Sequence, residues 1–344
     1  MPHPAAPSRI LWTSAVLLCF LVIEHAAGQA APPLDRVMTL TSDKSGARDL
    51  PADRGSTGLW QQLQKLGTTA SVLHIVAHPD DEHGGVLTYL SRGQGARVAL
   101  LALNRGEGGA NAIGSELFDA LGLVRTEELL LAGSYYGLDD LYFTPLIDYG
   151  FSKTLDEALR NWGRENVLRE VVRVIRINRP LVVLSRFHGS ERDGHGHHQT
   201  AGVISQEAFR VAGDSSRFPE QIQQEGLRPW QPMKLYRGGV QEEEDWHVQI
   251  DAGTYSPWLG ASYRNYASRG LSLQRSQMSG RYREVTGPYL RYYERMDATV
   301  EAPEEETTLF DSLDTSLPGL FGLLGVTAPP EALALLEDVQ AGVE

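Results

Sequence analysis

The stretch SVLHIVA (71–77), followed without a break by HPDDEHGG (78–85) and VLTYLSRG (86–93), decides how this chain folds. The first seven residues form a short β-branched run that reads as a buried strand. It ends in a turn of imidazole and carboxylate groups, and a helix follows. Two further segments repeat the pattern. ARVALLALN (96–104) runs into the glycine-rich loop RGEGGANAIG (105–114) and then into SELFDALGLVRTEELLLAG (115–133), an amphipathic helix with Ser115 placed to cap it. ENVLREVVRVIRINRP (165–180) is an amphipathic helix that Pro180 stops. It leads into the strand LVVLSRF (181–187), the polar loop HGSERDGHGHH (188–198) and the helix QTAGVISQEAFRVA (199–212). Strands and helices in alternation predict an α/β fold, a Rossmann-like and mostly parallel sheet with helices on both faces. Ligands in such sheets bind where strands end and loops begin, and both histidine-rich segments fall there.

Outward from this centre, 57–67 (TGLWQQLQKLG) reads as a helix ending at a glycine, 246–251 (WHVQID) as a strand and 256–270 as a helix. Residues 1–28 have the form of a secretory signal: Arg9, an apolar run over 10–23, then small residues at Ala26 and Gly28 for cleavage before Gln29. The apolar run is short for a membrane span, so the mature chain is expected to be exported without one. The division expected is therefore a signal over 1–28, a lead-in and first helix over 29–70, and one domain over 71–300. Residues 301–344 read as an acidic linker or the opening of a further region, ending without a clear stop.

The formal charge of −13 over 344 residues is concentrated at one end. Ten acids and no Lys or Arg follow residue 300, which leaves about −3 for the rest. Without a concentrated basic face, nucleic acid is excluded as a partner. The single cysteine, Cys19, would leave with the signal, so a metal site in the mature chain must use His and carboxylate.

Two segments offer those donors. His78 and Asp81 stand three apart and converge if the strand passes into a helical turn, while Asp80 between them points elsewhere, toward a bound water. His195 and His198 repeat the spacing in the second loop, where the glycines allow a tight fold. Either segment alone serves as readily as a helix cap or a solvated turn. Together, at the ends of two buried strands, they make a site of two His and one carboxylate with a position left for water, which is the composition of a catalytic zinc site rather than a structural one. Spacing alone does not separate His195, His197 and His198 as the third ligand. His74 reads as a satisfied core histidine, and His83, His188, His197 and His247 as structural or exposed. Asp140 and Asp148 receive no role.

With these residues in view, AHPDDE (77–82), NRGEGG (104–109), Arg125 with Glu128-Leu129, and GHGHH (194–198) resemble the PIG-L/LmbE family of zinc-dependent N-acetylglucosaminyl deacetylases. The resemblance implies an LmbE-like fold and zinc held by His78, Asp81 and His198. It implies Asp80 as general base, His195 as acid or oxyanion stabiliser, and Arg125 as a substrate contact. The substrate implied is an N-acylated sugar or glycoconjugate. Two departures stand out: Gly196-His197 occupies the place where many relatives have Pro-Asp, and Asp193 the place where some have Tyr. A carboxylate at 193 would orient His195 and favour its protonated form.

Three rival readings are weaker. A dinucleotide binder needs G-x-G-x-x-G after the first strand, where this chain carries two carboxylates that would repel a pyrophosphate. A metalloprotease of the HExxH type lacks its motif. A non-catalytic carbohydrate-binding protein would stack sugars on aromatics such as Trp230, Trp246, Trp258, Tyr289, Tyr292 and Tyr293, but has no need of Asp80.

Overall fold

The computed structural model describes residues 38–40, 50–279 and 283–343, so the expected signal over 1–28 lies outside the described residues. Among the described residues are ten strands: β1 (Met38–Leu40), β2 (Ser71–Val76), β3 (Arg97–Ala102), β4 (Asp140–Phe143), β5 (Val182–Ser185), β6 (Lys234–Val240), β7 (Val248–Asp251), β8 (Tyr255–Ser256), β9 (Ala261–Ser262) and β10 (Leu290–Ala298). Eight of them make one sheet in the order β1-β4-β3-β2-β5-β6-β10-β7, while β8 and β9 pair as a hairpin. Its centre, β4-β3-β2-β5-β6, is parallel throughout, and the antiparallel pairings are confined to β1 on one flank and β10 and β7 on the other.

The alternation within each strand explains why both faces are covered. In β2, Val72 and Val76 enter one apolar cluster and Leu73 and Ile75 the other; in β3, Val98, Leu100 and Ala102 oppose Ala99 and Leu101 in the same way. Helices Gly84–Thr88 and Asp119–Tyr136 pack on the first face, and Leu155–Trp162, Arg164–Asn178 and Gly196–Val211 on the second. His74 sits in β2 with no exposure. Its Nδ1 donates to Leu184 O at 2.9 Å and its Nε2 accepts from His83 N at 3.4 Å, while burial pulls its pKa down to about 3. It is the satisfied core histidine that its place in the strand implies.

The chain order sets a topological switch. From β2 the sheet grows through β3 to β4 on one side, whereas β5 and β6 are added on the other. The crevice between the carboxyl ends of β2 and β5 is where such sheets bind ligands. The segments beginning at His78 and His188 leave those two strands.

Three local expectations change. The Asp119–Tyr136 helix starts four residues after Ser115, because Phe118 N donates to Glu107 O at 2.9 Å and folds the preceding loop back on itself. Residues 256–262 belong to the β8–β9 hairpin, turned at Gly260 with φ 62°, and Ser262 then caps a shorter helix, Tyr263–Leu271. The acidic segment after residue 300 is packed rather than a free linker. Glu306 is buried and bridges to β7. Its carboxylate receives Lys234 Nζ at 2.5 Å, Tyr236 Oη at 2.7 Å and Arg295 at 2.6 Å. Leu309 joins the first apolar cluster, and Gln340 of the terminal helix Pro330–Val343 donates to Gly67 O at 2.9 Å. Charge in this stretch is thus partly consumed inside the fold.

Removing one partner of a buried pair strands the other, at about 3–5 kcal/mol. Glu306→Ala, which leaves Lys234 without its carboxylate, should lower the unfolding free energy in urea by about that amount. A loss below about 1 kcal/mol would mean that this segment is not part of the folded unit.

Candidate active site

Pro79 carries the chain out of β2 and away from the sheet, and the next residue takes a conformation that L-amino acids avoid: Asp80 has φ 95°. Such backbone costs about 1–3 kcal/mol and persists only where its surroundings hold it. Here Asp80 N donates to Glu82 Oε2 at 2.9 Å, and Arg125 donates to both Pro79 O and, at 3.0 Å, Asp80 Oδ1. Glu82 is fixed in turn by Tyr136 Oη at 2.8 Å and by Gln274 Nε2. The strained residue therefore swings Asp80 to one side of the turn and leaves His78 and Asp81 together on the other.

Asp81 is the centre of the site. Its Oδ2 lies 3.1 Å from His78 Nδ1 and also accepts His78 N at 2.7 Å, and its Oδ1 lies 3.3 Å from His198 Nε2. Burial alone would raise this carboxylate's pKa, but the bonds from His198 and His78 hold it well below the ordinary range. Burial likewise lowers His198, and the Asp81 carboxylate reverses this to a net rise. Asp80 behaves oppositely. Burial and the neighbouring Asp81 charge push it up to about 7, against the pull of Arg125. Adjacent carboxylates in one turn thus have opposite tendencies, Asp81 to stay charged and Asp80 to hold a proton near neutrality.

The second segment is shaped by its helix. Gly196–Val211 begins inside the GHGHH motif, with His195 as its N-cap. His195 Nδ1 accepts His197 N at 3.1 Å, so the neutral ring carries its proton on Nε2. Gly196 packs where a Cβ would collide with Ser152 and Thr154, which brings the loop 145–154 against the site. Phe151 lies edge-on to His195 with ring centroids 4.8 Å apart. Burial, followed by the charges of His78 and His198, pulls His195 down to about 4.

Asp193 corrects one expectation. Its carboxylate accepts the N–H groups of His188, Gly189 and Ser190 at 3.1, 2.7 and 3.1 Å, closing the loop on itself rather than pairing with the His195 ring. Its carbonyl takes His198 Nδ1 at 3.1 Å. That contact fixes the ring with its Nε2 facing Asp81, the outer support that metal-binding imidazoles receive.

Two overlapping donor groups result, each with ligand atoms within 4.8 Å of one another: His78, Asp81, His198 and His78, His195, His197. The first fits a divalent cation such as zinc better. It contains a charged carboxylate, and the second nitrogen of each imidazole has a partner, Asp193 O for His198 and His197 Nδ1 at 3.0 Å for His78.

His197, read from the sequence as structural or exposed, takes the structural place. It is fully buried, stacks on Trp162 at 4.1 Å and 24°, and touches His78. Asp148 was passed over, yet its carboxylate lies 3.9 Å from His78 Nε2 and 3.8 Å from His197 Nδ1. Nothing in the local sequence of 144–150 signals this, because the contact is made only when the loop packs beside Gly108. Glu82, by contrast, stood in the quoted motif without a role.

Arg125 is 3% exposed, with NH1 donating to Gly106 O at 3.2 Å as well as NH2 to Pro79 O and Asp80. Gly106 (φ 70°) leaves no space for a Cβ beside this guanidinium. In this geometry Arg125 ties the NRGEGG loop to Asp80. The aromatics considered as sugar platforms are dispersed: Trp230 donates to Pro180 O, Trp258 stacks on Trp60, Trp246 faces Tyr292, and Tyr293 is buried against His83.

Fold and site together define an α/β protein with a His–Asp–His group able to hold a metal ion at the switch point of a mostly parallel sheet. Residues 73–209 match the family model described as PIG-L: GlcNAc-PI de-N-acetylase. A relative from Kineococcus radiotolerans, 1D-myo-inositol 2-acetamido-2-deoxy-alpha-D-glucopyranoside deacetylase, is 31% identical over 242 residues, covering 62% of this chain and 63% of its own length. A probable N-acetylglucosaminyl-phosphatidylinositol de-N-acetylase from Schizosaccharomyces pombe is 31% identical over 132 residues, 37% of this chain and 47% of its own. The chain thus spans under two thirds of the length of these relatives. N,N'-diacetylchitobiose deacetylase from Pyrococcus horikoshii aligns with a TM-score of 0.48 and 16% identity, over 67% of this chain and 81% of that one.

The two donor groups are separable by mutation. In dialysed protein, Asp81→Ala and His198→Ala should each lose stoichiometric metal, whereas His195→Ala should keep it, as measured by elemental analysis. Metal kept by the first two and lost by the third would assign the ion to the three-histidine group.

Proposed function

We propose that this chain is a zinc-dependent amide hydrolase that removes the N-acetyl group from an N-acetylglucosamine-type sugar or glycoconjugate. The observation that carries the reading is Asp80: a half-buried carboxylate, held on strained backbone by Arg125 and Glu82, beside the donor group and pushed up to about 7. A site built only to hold a metal or a sugar has no use for that arrangement. A general base near neutrality does. The family match and the two curated relatives support the same chemistry and the sugar class.

Zinc held by His78, Asp81 and His198 would supply Lewis acidity and make water a stronger nucleophile at neutral pH. The chain's own groups do the rest. Asp80 takes a proton from the attacking water as the C–O bond forms. His195, neutral with its proton on Nε2, donates to the oxyanion that develops on the acyl carbon. Because burial disfavours a charged His195, the proton returned to the departing nitrogen as the C–N bond breaks comes from Asp80. The products are a free amine and acetate. The proposal includes export, supported by the pattern over residues 9–28.

Asp80→Asn should retain its metal while acetate release falls by about 10²–10⁴-fold. The assay is elemental analysis of the purified chain alongside acetate release from a panel of N-acetylated saccharides. A near-native rate in Asp80→Asn would remove the base from the mechanism. Stoichiometric zinc with no release from any saccharide would favour a carbohydrate-binding protein instead.

A further inference from the structure

Immediately beyond the Asp81 turn, Glu82, His83, Gly84 and Gly85 form one wall of a second pocket of about 200 Å³, distinct from the metal-binding group. The opposite wall is basic. Arg264 on the Tyr263–Leu271 helix and Arg291 on β10 both pack on the ring of Tyr289, with guanidinium carbons 3.9 and 3.8 Å from its centroid. The two charges are therefore no more than twice that distance apart.

Neither arginine pairs with a carboxylate among the described residues. Arg291 donates to Leu290 O and to the Tyr289 hydroxyl, while Arg264 makes no side-chain hydrogen bond to the described residues. The acids nearby are already engaged. Glu82 accepts Asp80 N, Tyr136 Oη and Gln274, and Asp251 Oδ1 accepts the N–H groups of Gly253 and Tyr289. Two like charges facing one half-enclosed cavity repel each other unless an anion lies between them. The glycine wall is closely packed: a Cβ at Gly84 would stand 2.6 Å from the Tyr136 ring, and one at Gly85 3.3 Å from the backbone of Arg264.

We propose that this pocket is an oxyanion site of the phosphate class. Guanidinium forks match oxyanions through paired N–H donors. Two forks brought in from different elements suit a tetrahedral group, whose oxygens diverge, better than a planar carboxylate. The volume admits a charged substituent rather than a whole sugar, since sites for complete small molecules run to about 300–1,000 Å³. The anion can be a phosphate carried by the substrate of the adjacent centre or free inorganic phosphate.

Thermal melts of the full chain in sodium phosphate, against sodium chloride at equal ionic strength, test this without relying on catalysis. Phosphate should raise the melting temperature of the native chain, because a ligand bound to the folded state stabilises it. The shift should vanish in the Arg264→Gln, Arg291→Gln double variant. It should vanish also in Ser268→Asp, which places a carboxylate on the pocket wall and leaves both arginines intact. The source of the anion follows from kinetics. If the substrate carries it, a phosphorylated N-acetylated sugar should exceed its unphosphorylated counterpart in kcat/KM by about tenfold or more, a preference lost in Arg264→Gln. Equal rates with a persisting melting shift would identify free phosphate. No phosphate-specific shift in the native chain, or an undiminished one in the variants, would overturn the proposal. Either result leaves the hydrolase reading to be judged on acetate release alone.

Discussion

Asp81 is largely enclosed between two imidazoles, one against each carboxylate oxygen, and much of the surrounding structure exists to make that arrangement tolerable. A buried carboxylate is costly unless it is paired and hydrogen-bonded. Its partners come from chain segments more than a hundred residues apart, His78 at the end of β2 and His198 in the first turn of the Gly196–Val211 helix. The sheet order that puts β2 beside β5 is what allows them to meet. Each imidazole is anchored behind, His198 by the Asp193 carbonyl and His78 by His197, so neither can turn away when the centre is loaded or emptied.

The same constraint governs Asp80. With Asp81 kept anionic, a second charge on the adjacent residue is disfavoured, and burial adds to the effect. Arg125 works in the other direction and prevents Asp80 from becoming a permanently protonated bystander. The positive φ at Asp80 is what keeps the two carboxylates on different sides of the turn. Strain, charge repulsion and one buried guanidinium together give two identical side chains opposite tendencies, the difference that the proposed ligand and base require.

How much of this was legible beforehand depended on whether the signal was local. The parallel centre of the sheet was readable from runs such as SVLHIVA and LVVLSRF, since strands buried on both faces need continuous apolar sequence. The donors His78, Asp81 and His198 were visible as short spacings at strand ends, although the choice of His198 over its neighbours rested on family resemblance. Contacts made only in three dimensions were not visible. Asp148 approaches His78 through loop packing at Gly108, and His197 is buried because Trp162, from another helix, covers it. Asp193 looked like a partner for His195, but its nearest donors proved to be the backbone N–H groups of its own loop. The acidic stretch after residue 300 was read from composition, which cannot show that Glu306 finds Lys234 and Arg295 inside the fold.

The central claim is that one metal ion is held by His78, Asp81 and His198 at the switch point of the sheet. Anomalous diffraction at the zinc edge, from crystals of the zinc-loaded chain, tests it most directly. The account predicts a single strong peak in contact with one nitrogen of each of these histidines and with the Asp81 carboxylate, at about 2.0–2.2 Å. A peak lying instead among His78, His195 and His197, or away from the crevice between β2 and β5, would contradict it.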